Sequence, residues 1–206
     1  MNPGTNSIAF LSIAFAIVFC LLVVGAHWDR REDLRPLSTS LSTYFAGSSR
    51  STMFFAYASL AIALLCVSVS IATISDVPYR WLATALCVVS ACCLIPIGLT
   101  ARQRVGDPDV RSQRTITLHR FFALGAFLLI VGAMIAYAAG VATQGLSSSG
   151  TMVIVIVTMA AIVNFAVVLG SRPGPTYGLK QKGLTFLVVI WIAIVATQLT
   201  LPPAVH

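Results

Sequence analysis

Residues 151–171 read TMVIVIVTMAAIVNFAVVLGS: twenty-one residues without a charge, held to one polar amide at Asn164. A run of about 20 apolar residues is long enough to cross the hydrocarbon core of a bilayer as a helix. A strand of that composition would leave its backbone groups unpaired in lipid, so helix is the form the stretch demands. Working outward, five more such runs appear, at residues 8–26, 53–74, 81–101, 118–140 and 184–201. The sequence therefore predicts an all-α, polytopic membrane protein with six transmembrane helices in one bundle, a single integral membrane domain over residues 1–206.

Composition agrees. Of the 206 residues, 58% are hydrophobic and 9% charged, against about 25% charged in a soluble domain. The net charge of +7 does not point to nucleic acid, because the basic residues sit in short connectors between apolar runs. The first run has no lysine or arginine ahead of it and ends in Gly25-Ala26-His27, a poor cleavage site, so it reads as a retained helix rather than a signal peptide.

The connectors set an orientation. The first holds Arg30, Arg31, Arg35 and Arg50. The third holds Arg102, Arg104, Arg111 and Arg114, with Arg120 just inside the next span. The fifth holds Arg172, Lys180 and Lys182. Only Arg80, in the second, stands apart from these twelve. Positive charge stays on the cytoplasmic side, so connectors one, three and five are expected to face in and both termini out.

The first connector carries Leu34, Leu37, Leu41, Tyr44 and Phe45 at three- and four-residue steps, the spacing of one helix face, with Pro36 suited to a first turn. A short amphipathic helix in the interface is expected there. In the third connector Gly106-Asp107-Pro108-Asp109 signals a turn. The fifth, Arg172 to Gly183, contains Pro173-Gly174-Pro175 and Gly178 and reads as a loop.

Two stretches carry a resemblance. Residues 35–47, RPLSTSLSTYFAG, precede the second span with a Pro-x-x-Ser-x-x-x-Ser-like element. Gly106-Asp107-Pro108-Asp109 is followed by Thr117-Leu118-His119 at the head of the fourth span. Together these resemble a bacterial six-helix membrane family catalogued as domain-of-unknown-function family 998, in a layout covering roughly residues 8–200. This chain has Arg120 after the histidine, where a small residue is more usual. The resemblance implies a six-helix fold and a location in a bacterial cytoplasmic (inner) membrane, and it carries no activity.

Little in the spans supports chemistry. They contain no aspartate or glutamate, which disfavours an intramembrane metal hydrolase or an ion-coupled carrier. The five cysteines all lie in apolar runs without a CxxC pair, so no metal is expected. His27 and His119 fall at the inner ends of the first and fourth spans, where they could approach one another as interfacial polar groups. Haem ligation fits such positions poorly, and no cofactor is expected. Asn164 is expected to bond across to a neighbouring helix, for example to Ser90 or Thr84. Gly132, Ala136 and Gly140 form a close-approach face, as do Ala83, Cys87 and Ala91, within one chain or between chains. Pro96 should kink the third span, with Ser90 and Thr100 near enough to meet freed carbonyls.

The sequence thus favours a non-catalytic membrane protein, first as an accessory or scaffold subunit of a larger membrane complex. The alternatives are binding of lipid or another hydrophobic ligand, with Arg30, Arg31, Arg35, Arg102 and Arg104 meeting anionic head groups, and a small uncoupled transporter. The expected partners are membrane lipids and other membrane subunits or a second copy, not nucleic acid.

Overall fold

The computed structural model describes residues 3–29, 31, 50–73, 77–100, 113–144, 149–172 and 175–200. Those residues form α1 (Pro3–Asp29), α2 (Arg50–Ala72), α3 (Arg80–Thr100), α4 (Gln113–Thr143), α5 (Ser149–Gly170) and α6 (Tyr177–Thr200). Each contains a stretch long and apolar enough to cross a membrane. The interfacial helix expected between the first two spans, and the Gly106–Asp109 turn, lie outside the described residues.

Each helix packs on its neighbours in sequence, and α6 closes the bundle by packing on α1 and touching α2. Inside this arrangement α4 and α6 meet through an edge-to-face pair, Tyr137 and Trp191, with ring centroids 6.0 Å apart. Both rings are buried, with Leu64, Val67, Ile71, Met134 and Ile192 around the same core. Large apolar side chains such as Leu21, Leu128 and Ile156 point outward. A bilayer makes that arrangement inexpensive, since the surrounding solvent is as apolar as the core.

Small residues let the helices approach. Ala83, Cys87 and Ala91 are fully or almost fully buried on α3. On α4, a side-chain carbon added at Gly132 would stand 3.4 Å from Leu86 of α3, and one at Gly140 would run into the backbone of Pro78 and the side chain of Val77 in the α2–α3 turn. Ala136 is buried between them. The close-approach face of α4 is therefore occupied within the chain. Ser90 of α3 adds a hydrogen bond to the Ala126 carbonyl of α4, 2.9 Å. In the tight α2–α3 turn, Tyr79 adopts φ 62°, the left-handed region.

Two expectations change. The hydroxyls near Pro96 do not serve the carbonyl its missing N–H frees, that of Cys92 four residues back: Ser90 bonds Ala126, and Thr100 bonds the Pro96 carbonyl itself at 2.7 Å. The sixth helix starts at Tyr177, so Gly178 to Gly183 are helical rather than loop. The Lys180 N–H already donates to the Thr176 carbonyl, 3.2 Å. Proline breaks a helix from inside it, and here both prolines precede the first turn, while Gly178 and Gly183 lie within the helix, where glycine weakens it without ending it.

Candidate functional site

The early start of α6 builds the site. It carries Lys180, Gln181 and Lys182 on helix, beside the end of α1, rather than in a loop. The Lys180 ammonium donates to Ser171 Oγ, 2.9 Å, which fastens the start of α6 to the end of α5. Lys182 faces the other way, toward α1.

Between α1 and α6 runs an open groove of about 680 Å³, within the range of small-molecule sites. Phe19, Val23 and Val24 of α1 and Leu179, Phe186 and Val189 of α6 form its walls. His27, Arg31 and Lys182 line the end where α1 finishes and α6 begins. The groove is thus apolar along its length and basic at one mouth. Among the described residues, no aspartate or glutamate lines it.

Local bonds hold the basic groups in place. His27 Nδ1 lies 2.8 Å from the Val23 carbonyl one turn back. A carbonyl only accepts, so Nδ1 carries the proton and directs the ring's other nitrogen away from the helix axis. The Arg31 guanidinium sits 4.6 Å over the Trp28 ring and donates to the Trp28 carbonyl, 3.3 Å. Trp28, largely exposed on the helix end, is the amphipathic type of side chain that settles at a membrane interface.

The remaining sequence candidates fall elsewhere. Arg30, Arg35, Arg102 and Arg104 lie outside the described residues. His119 does not join His27: it is on α4, with Nδ1 3.2 Å from Thr100 Oγ1 of α3, whereas α1 packs on α2 and α6. Asn164 does not bond Ser90 or Thr84, whose hydroxyls serve the Ala126 and Ser68 carbonyls. It lies instead against Gly183 of α6, with Nδ2 2.9 Å from where a side-chain carbon would stand, because α5 packs between α4 and α6 and away from α3. Among the described residues, no three His, Cys, Asp or Glu side chains gather as a metal site would require.

Lys182, Thr185 and Phe186 were not among the sequence candidates. The signal available was Thr176, a helix-starting residue type, just ahead of an unbroken helical stretch. What the groove can do chemically is limited and specific: it can hold an apolar chain against its walls and an anion at its mouth.

These features define a multi-pass helical membrane protein with a lateral, basic-mouthed groove. The chain belongs to the family described as "Protein of unknown function (DUF998)", which matches it over residues 13–198. No curated protein and no solved structure matches it.

Proposed function

We propose that the protein binds an anionic amphiphile, a lipid with a phosphate-bearing head group, in the α1–α6 groove, and carries out no reaction on it. The observation that supports this reading is the pairing of an apolar trough with three basic side chains at a single end. The charge distribution among the connectors favours a mouth on the cytoplasmic side and both termini outside, and a bacterial inner membrane is the setting we propose. There the leaflet is rich in anionic lipid, and each lysine or arginine near its surface contributes about 1 kcal/mol. The accessory-subunit reading rests on small-residue faces and on the lack of polar machinery in the spans. Of the α4 face, Gly132 packs against Leu86 of α3 and Gly140 against the α2–α3 turn, so that face does not favour a partner over the chain itself.

The test is lipid retention. Protein purified gently from membranes of mixed composition should carry more anionic lipid than the bulk membrane. Arg31→Gln and Lys182→Gln should each lower that retention by about five-fold, the equivalent of ~1 kcal/mol, and the double variant more. Unchanged lipid in the double variant would sink the proposal. A stoichiometric protein partner in place of lipid would favour the subunit reading.

A further inference from the structure

The three basic side chains at the mouth of the α1–α6 groove are not equivalent. His27 and Arg31 stand one turn apart on α1, on the face that lines the groove. Lys182 comes from the opposite wall, on α6, near enough for its charge to act on His27. Asp29 lies about 200° round α1 from both and is not part of the lining. Among the described residues, the mouth therefore presents two cationic side chains and one imidazole without a carboxylate.

Each offers a phosphate something different. The Arg31 guanidinium is a planar fork of N–H donors, held over the Trp28 ring at 4.6 Å. The Lys182 ammonium is a compact charge on a flexible stem. On His27, Nδ1 gives its proton to the Val23 carbonyl, 2.8 Å away. In the neutral ring the other nitrogen, Nε2, is then an acceptor, and it becomes a donor only when a second proton arrives.

A phosphate diester does not match all three groups. It carries one negative charge and no proton, so it answers the two cations but sets acceptor oxygens against the acceptor of a neutral imidazole. A phosphate monoester carries about −1.5 to −2 charges at neutral pH and loses its second proton at about pH 6. An ordinary imidazole titrates at about pH 6.5. One proton shared between the two is matched wherever it resides. On the phosphate, its O–H donates to Nε2; on the ring, Nε2–H donates to a phosphate that then bears the second charge. The length of the groove fits a lipid held this way. Its α6 wall runs from Leu179 to Val189, a rise of ~15 Å, half of the ~30 Å hydrocarbon core. A chain lying in the trough thus belongs to a single leaflet and carries its phosphate to the mouth.

We propose that the mouth selects a lipid whose head group is a phosphate monoester, with His27 as the residue that tells it from a diester. This rests on the anionic-amphiphile reading above and narrows its ligand to one class.

The test uses the full chain in phosphatidylcholine vesicles holding equal minor amounts of phosphatidic acid, a monoester, and phosphatidylglycerol, a diester, with the same acyl chains. The lipid retained after gentle detergent extraction is measured by native mass spectrometry. The wild type is expected to keep phosphatidic acid over phosphatidylglycerol by about five-fold, the usual worth of one hydrogen bond. His27→Phe, which keeps a ring without its nitrogens, should lose most of that preference, and His27→Ala makes the same comparison if the phenylalanine variant does not fold. Equal retention of the two anionic lipids, both above phosphatidylcholine, overturns the monoester proposal and leaves the anionic-lipid reading standing. A preference unchanged in the histidine variants also overturns it, since the extra charge of phosphatidic acid would then account for the difference. No enrichment of either lipid over phosphatidylcholine brings down both.

Discussion

Gly183 does two things at once: it lines the α1–α6 groove and it leaves room for the Asn164 amide behind it. A branched side chain there must displace that amide or part the helices. Gly183→Val should lower stability by about 1–3 kcal/mol, the usual cost of overpacking, read as a fall in the thermal unfolding midpoint in detergent. A midpoint equal to the wild type would mean that α5 and α6 do not approach at this position. Ser90 offers the opposite test, a loss rather than an excess. Its bond to the Ala126 carbonyl crosses from α3 to α4 inside the bundle. Interhelical hydrogen bonds in membranes average ~0.6 kcal/mol and reach ~2, so Ser90→Ala should cost that much in the same assay. Neither residue role was legible from the sequence. Asn164 was visible as a polar residue needing a neighbour, but the identity of the neighbour depends on which helices are adjacent.

At the scale of the element, α3 shows what separates a buried face from a lipid-facing one. Cys87 is buried and Cys92, five residues on, is exposed. Cys87→Leu should destabilise by about 1–3 kcal/mol, while Cys92→Leu, which adds an apolar group against lipid, should leave the unfolding midpoint near that of the wild type. Comparable losses in both would place Cys92 against another protein surface. The helices themselves were legible, because runs of about 20 uncharged residues have one solution in a bilayer. Their faces were not. Interior and lipid are both apolar, so the spans are hydrophobic around most of their circumference and periodicity does not mark the inward side. The start of α6 was hidden for another reason. Lys180, Gln181 and Lys182 precede the apolar run, and the helix already passes through them, as it can where long basic side chains reach toward the membrane surface.

For the whole molecule, the basic connectors and the basic groove mouth belong to the same end of the bundle: α1 finishes and α6 begins where the sequence concentrates its arginine and lysine. That clustering is legible in the sequence, since alternate connectors of a six-span chain share one side of the membrane. The groove did not show in the sequence, because it arises from α6 closing the bundle onto α1, the two helices farthest apart in the chain. An arrangement with an apolar trough and a basic mouth should select its occupant from the bilayer around it. The most direct measurement is photo-crosslinking from two positions of similar exposure, Phe186 on the groove wall and Val163 on the outer face of α5. In membranes of mixed lipid, a photoreactive side chain at 186 should capture anionic lipid well above its share of the bilayer, and one at 163 should capture lipids in bulk proportion. Bulk proportion at both positions would contradict selection of anionic lipid by the groove.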